Sequence, residues 1–227
     1  MSTRSDLVAA GAGPWQIESN GDRVAHEFLV DELKRHRPDD GVLSEEGHDD
    51  RKRLERARTW IVDPLDGSSE YRYPNSVEFA VHVALTVNGR AEAGAVSLPA
   101  MGETYSTLPA PPHPRDSGRE RPLVLVGRSR ANIDGRRLAS HLGADVAATG
   151  SAGVKAMLVV RGDADAYVHA GGLYEWDVCA PAVVAQAAGL YVSDALGDDL
   201  VFNRSDPWSK GIIVCRRDLA QPILEAL

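Results

Sequence analysis

The segment Trp60-Ile61-Val62-Asp63-Pro64-Leu65-Asp66-Gly67-Ser68-Ser69 runs a short apolar strand into two carboxylates, a glycine and paired hydroxyls. Three β-favouring residues deliver the chain into a turn that Pro64 and Gly67 permit, and hydroxyls follow where a helix can start. Main-chain N–H groups at such a start face whatever anion sits there. Asp63 and Asp66, three apart, can hold a hard cation beside that anion, and oxygen donors suit magnesium better than zinc. Metal-assisted phosphate hydrolysis needs this arrangement.

Two further carboxylate motifs accompany it: Glu45-Glu46 after strand-like Val42-Leu43-Ser44, and Asp177 in Glu175-Trp176-Asp177. Each has a plain alternative. Glu45 and Glu46 read equally as surface acids, Asp177 as an N-cap, and Asp63-Pro64-Leu65-Asp66-Gly67 as a turn. Taken together, in this order, the three motifs point to one site.

The elements that position these residues follow from periodicity. Asp22 to Arg37 predicts a helix with Val24, Phe28, Leu29 and Leu33 as its apolar stripe. The charge run from His48 to Arg58 reads as a solvated loop or helix. Val77 to Val87 alternates apolar and polar residues, Asn88-Gly89 turns a hairpin, and strands follow over Ala91 to Ser97 and Glu103 to Thr107. Prolines at 109, 111, 112, 114 and 122 break regular structure, which divides an N-terminal α+β domain (1–110) and a linker (111–122) from a C-terminal α/β domain (123–227). Beyond the linker, strands at Leu123 to Val126, Asp145 to Thr149, Ala164 to His169, Leu190 to Ser193 and Gly211 to Cys215 alternate with helices at Asn132 to Leu142, Ala152 to Arg161 and Trp176 to Ala188. A short helix ends the chain.

The 227 residues suffice for a large core, and a formal charge of −8 excludes general affinity for nucleic acid or anionic membranes. A small anion would need local cations. Cys179 and Cys215 read as buried thiols, without a zinc pattern. No segment has a secretory or membrane-spanning pattern, so the expected location is cytoplasmic.

Leu43-Ser44-Glu45-Glu46, Trp60 to Ser68 and Glu175-Trp176-Asp177-Val178-Cys179-Ala180-Pro181 resemble the three signature motifs of the inositol monophosphatase superfamily of magnesium-dependent phosphatases. Gly150-Ser151-Ala152-Gly153-Val154-Lys155, Asp165-Ala166-Tyr167 and the Trp-Asp-x-Cys-Ala-Pro form look most like its bisphosphate nucleotidases of CysQ type. The resemblance covers about residues 15 to 215. Spacing sets imitators aside: haloacid dehalogenase-type phosphatases use Asp-x-Asp-Gly-Thr, and an EF-hand loop needs alternate acids and a closing glutamate.

The resemblance implies a layered αβαβα sandwich and hydrolysis of the 3′-phosphate of 3′-phosphoadenosine 5′-phosphate, with lithium sensitivity. It implies one magnesium on Glu45, Asp63 and the carbonyl of Leu65, and a second on Asp63, Asp66 and Asp177, with room for a third near Glu45. Gly67 and Ser68 amides would hold phosphate oxygens, and the Ser68 hydroxyl, where the family usually has threonine, would orient the attacking water. Ser151 and Lys155 would face a second phosphate, although an isolated lysine is also commonly solvated. Arg128, Ser129 and Arg130 form another anion patch, while Tyr167, His169 and Trp176 either line a base pocket or simply pack. Relatives usually carry an aspartate and a threonine where Gln16 and Ser19 stand, and most of their first helix has no counterpart here. Glu18 is one candidate for compensation. The rival readings are a phosphatase of inositol phosphate, sugar phosphate or nucleoside monophosphate, and a metal-dependent nucleotide-binding protein that does not hydrolyse. Whether the chain forms a homodimer stays open.

Overall fold

The computed structural model describes residues 4–115, 118–128 and 134–227. Helices α1 (Arg4–Ala9) and α2 (Pro14–His36) precede β1 (Gly41–Ser44), a 3₁₀ turn at Arg51–Glu55, β2 (Arg58–Asp66) and the single-turn α3 (Ser68–Tyr71). Strands β3 (Ala80–Val87), β4 (Arg90–Leu98) and β5 (Glu103–Ser106) complete a sheet ordered β1-β2-β3-β4-β5. Only β1 and β2 run parallel within it.

The second half alternates β6 (Leu123–Val126), α4 (Asp134–Leu142), β7 (Asp145–Ala148), α5 (Ala152–Arg161), β8 (Ala166–Tyr174), α6 (Glu175–Ala187), β9 (Tyr191–Ser193), β10 (Trp208–Cys215) and α7 (Ala220–Ala226). Its sheet runs β7-β6-β8-β10-β9. The first three strands are parallel, and β10 is antiparallel to both neighbours.

Strand periodicity explains the layering. In β6, Leu125 faces α5 and α6, whereas Val124 and Val126 face Leu138 of α4 and Ile223 of α7. On the other side of α5 and α6 the same core takes in Ile61, Ala84 and Val96 of the first sheet. With α2 against β2, the order is helix, sheet, helices, sheet, helices, the αβαβα sandwich expected. α6 is apolar on nearly every face because both sheets cover it: Val178, Cys179, Val184 and Ala185 are buried together. Each fully buried Val or Ile there contributes about 2 kcal/mol.

The structure corrects five boundaries or faces. α2 begins at Pro14, where proline's fixed φ suits a first helical position, rather than at Asp22. Its buried residues are Ile17 and Val30, and Phe28 is 55% exposed, because α2 is an outer layer covered along a narrow strip. β2 continues to Asp66 instead of turning at Pro64, and β8 runs on to Tyr174 beside β10. The run His48 to Arg58 is not simply a solvated face, because Arg53 is 1% exposed.

Candidate active site

A regular strand points residues i and i+3 to opposite faces. Asp63 pairs with His82 and Asp66 with Ala80, so β2 spends three steps where β3 spends two. That one-residue bulge at Pro64-Leu65 puts both aspartates on one side, and proline fits there because a bulge releases a ladder N–H. The bulge is braced locally: Asp63 accepts a hydrogen bond from the Leu65 amide at 3.0 Å. Gly67 then takes φ +84°, and a Cβ there would meet the Glu78 carbonyl at 2.6 Å. The chain turns into α3, whose single turn gives individual amides but little helix dipole.

The third motif arrives from the second half. Asp177 sits in the first turn of α6 and accepts from the Tyr174 amide at 2.7 Å, so it caps the helix while facing the other acids. Asp63, Asp66 and Asp177 offer oxygens all within 4.8 Å of one another. Glu45, just past β1, stands close enough to Asp63 for repulsion between the two to raise the Asp63 pKa.

The electrostatics separate the acids. Burial, then repulsion from Asp66, Glu45 and Asp177, pushes Asp63 well above the usual carboxylate range. Burial and Asp66 raise Asp177 to about 7. Burial also raises Glu45. Asp66 goes the other way: burial opposes its charge, but His82, Lys155 and Ser151 outweigh it and hold the carboxyl low. It accepts from the Ser151 hydroxyl at 2.5 Å and from the amides of Ala152 at 3.0 Å and Gly153 at 2.6 Å. Asp66 is thus an anion at the start of α5, with His82 Nε2 at 3.2 Å. Burial would lower the His82 pKa, yet attraction to Asp66 raises it. His82 also bonds the Trp176 carbonyl through Nδ1 at 3.0 Å, tying β3 to the first turn of α6. Gly153 leaves room for that ring, since a Cβ there would collide with Nε2. Buried carboxylates of like charge this close fit a divalent cation among them.

Two clamps keep the motifs in place. Arg53 donates to Asp49 at 2.7 and 3.1 Å, to Asn203 Oδ1 at 2.7 Å and to the Arg204 carbonyl at 3.0 Å. Buried Glu175 accepts from the Asn203 and Arg204 amides at 2.6 and 3.0 Å. The loop after the first motif is thereby connected through 203–204 to the start of α6.

A cavity of about 310 Å³ opens beside the acids, lined by Asp66, Arg128, Ser151, Lys155, Tyr167 and Asp177, with His169 also on its wall. Gly67, Ser68 and Trp176 are not part of that lining; Trp176 instead stacks on Tyr174 at 4.7 Å. Lys155 is neither solvated nor free to grip a phosphate. It is buried, and its ammonium donates to the carbonyls of Thr149, Gly150 and Ser151 at 3.2, 3.2 and 2.5 Å. All three protons are taken, and burial lowers its pKa to about 8. Arg128 is half exposed and paired with Glu78 and Glu70. Ser129 and Arg130 lie outside the described residues. Tyr167 hydroxyl, wholly buried, has no hydrogen-bond partner among them.

Sequence reasoning missed His82, Arg53 and Asp22. His82 occupied a polar slot in the strand alternation, and only the register with Asp63 reveals it. Asp22 stands on α2 near Glu46, Glu18 and Glu45, and burial with the first two raises it to about 7. Gln16 is exposed, and Glu18 is committed to Arg72 at 2.8 Å, which weakens the compensation expected of it.

A chain with this sandwich and an acidic cluster on the bulged strand defines a recognisable class. It matches the inositol monophosphatase family over residues 9–227 and belongs to that family. It is 41% identical over 221 residues to the 3′-phosphoadenosine 5′-phosphate phosphatase of Mycobacterium bovis, covering 94% of this chain and 83% of the relative. The 3′(2′),5′-bisphosphate nucleotidase CysQ of Escherichia coli K12 is 34% identical over 213 residues, 85% of each chain. Inositol monophosphatase II of Staphylococcus aureus shares the fold with a TM-score of 0.80 at 23% identity, covering 98% of this chain and 86% of that one.

Proposed function

We propose that this chain is a magnesium-dependent phosphomonoesterase that removes the 3′-phosphate of 3′-phosphoadenosine 5′-phosphate. The observation that carries this is the convergence of Asp63, Asp66 and Asp177 within 4.8 Å beside a cavity, in a chain whose relatives bear that activity in their names. Glu45, Asp63 and the Leu65 carbonyl would hold one ion, and Asp63, Asp66 and Asp177 another. Bound divalent cations supply positive charge against phosphoryl oxygens and lower the pKa of a water. The chain's own residues do the rest. His82 and the α5 amides hold Asp66 ionised, Gly67 and Ser68 present amides and a hydroxyl at the turn, and Tyr167 offers a buried hydroxyl to the substrate. The two sheets serve as domains 1–110 and 123–227, with 111–122 between them and the reaction at their junction.

A second reading is favoured by one observation: the donors of Lys155 are already occupied, which leaves a second phosphate without that cation. A monophosphatase of inositol, sugar or nucleoside phosphates follows from it. Phosphate release in magnesium decides between them. The leading reading expects 3′-phosphoadenosine 5′-phosphate to be turned over well ahead of inositol monophosphate and nucleoside monophosphates, and the reverse order would displace it. Tight nucleotide binding with no release from any of them would support the non-hydrolytic reading.

A further inference from the structure

A second cavity, of about 460 Å³, lies behind the first motif between α2, β1 and the 3₁₀ turn, and shares no lining residue with the cavity beside the acids. Its walls carry Lys34, Lys52, Arg56, His26 and His48, and Ser44 also lines it. In a chain of net charge −8, this local excess of positive groups is an exception.

Partnering makes the exception sharper. Between residues 4 and 72, Arg23, Arg35, Arg51, Arg53, Arg58 and Arg72 each pair with a carboxylate. Arg4 and Arg37 donate to main-chain carbonyls. The side chains of Lys34, Lys52 and Arg56 have no ion pair or hydrogen bond among the described residues, and all three line this one cavity. Of the two acids on its wall, Asp40 is paired with a cation outside the cavity, whereas Asp50 has only a neutral donor and offsets one of the three cations. Asp40 accepts from Arg58 at 3.0 Å and from the Trp60 indole at 2.8 Å, and Asp50 accepts from the Lys52 amide at 3.1 Å. His26 Nδ1 lies 2.9 Å from Ser44 Oγ, which gives the cavity a further polar group. Three cations against one unpaired acid around a concave space leave a net positive wall that raises the local concentration of a small polyanion, and guanidinium and ammonium groups bind phosphate by charge-assisted hydrogen bonds.

We infer that this cavity is a binding site for a small phosphate-bearing polyanion of diphosphate size, separate from the candidate catalytic centre. Ser44 precedes the proposed ligand Glu45, so an occupant rests against the strand that delivers the first motif.

The test titrates inorganic pyrophosphate into the full chain in EDTA, by calorimetry and by NMR of the histidine rings. Without metal, the acidic catalytic cluster repels the probe. The expected result is saturable one-site binding that shifts His26 and His48. Lys34→Glu/Lys52→Glu/Arg56→Glu should weaken it about tenfold or more. These side chains are exposed and make no ion pair or hydrogen bond among the described residues, and the milder pair Lys34→Ala/Lys52→Ala should weaken it in the same direction. Unchanged affinity in both variants, or shifts confined to His82 and His169, would overturn the assignment. In a second arm, ADP binding tighter than pyrophosphate assigns the remaining space to a nucleoside, and equal affinity assigns the diphosphate alone.

Discussion

Charge is buried around Arg53 and around Asp63, and the two regions handle it in opposite ways. Around Arg53 every guanidinium nitrogen finds an acceptor, and its counter-charge Asp49 stands within hydrogen-bonding distance. Around Asp63 the acids meet each other, and burial with their mutual repulsion pushes the Asp63 pKa well above the usual carboxylate range. A buried charge whose partners are complete acts as a fastener. Buried charges of one sign, short of partners, mark where something from outside completes the set.

Breaking the incomplete side should be the most damaging to activity. Asp66→Asn is expected to lower turnover by about a thousandfold or more while unfolding stays cooperative. Phosphate release alongside a thermal melt checks this, and near-normal activity would remove Asp66 from the proposed metal site. Breaking the complete side should instead cost stability. Arg53→Met leaves Asp49, Asn203 and the Arg204 carbonyl without their donor, at about 3 kcal/mol. Urea denaturation measures it, and a change within error would show that the clamp is decoration.

His82 stands between the two cases, because it partners one member of the cluster. His82→Asn should weaken the apparent magnesium affinity by about 10- to 100-fold with a smaller change in substrate KM. A magnesium titration at saturating substrate separates the two effects. Protons give a further handle. Asp22 and Asp177 release theirs near 7 in the folded chain and near 3.8 when unfolded. Between those values the folded state binds more protons, so raising the pH destabilises it. In EDTA the melting temperature should therefore fall as pH rises from about 4 to about 7, and magnesium at the upper end should restore it. A melting temperature that rises across this window would contradict the raised values. The smallest effect is expected for Tyr167→Phe. Loss of one hydroxyl contact to substrate, worth about 1 kcal/mol, should raise KM a fewfold without moving the magnesium requirement.

The strands and helices of both halves were legible from their periodicity, whereas their layering followed from the resemblance carried by the three motifs, each weak alone and specific in combination. What stayed hidden depended on register. Nothing local distinguishes His82 from any polar residue of an alternating strand until β3 is paired with the bulged β2. Nothing in the run His48 to Arg58 announces that Arg53 reaches residues 150 positions away. Lys155 was legible as a neighbour of the site but not in its role, because its partners are the carbonyls of its own turn, which side-chain chemistry alone does not display.

The course of the chain sets an order on becoming active. Glu45, Asp63 and Asp66 belong to the first sheet, whereas Asp177 comes on a helix that packs against both sheets and is made more than a hundred residues later. During synthesis, the first half emerges with its acids exposed and cannot close the cluster by itself. If Asp177 is a ligand as proposed, competence waits until α6 settles between the sheets, and the docking event that finishes the core also completes the site.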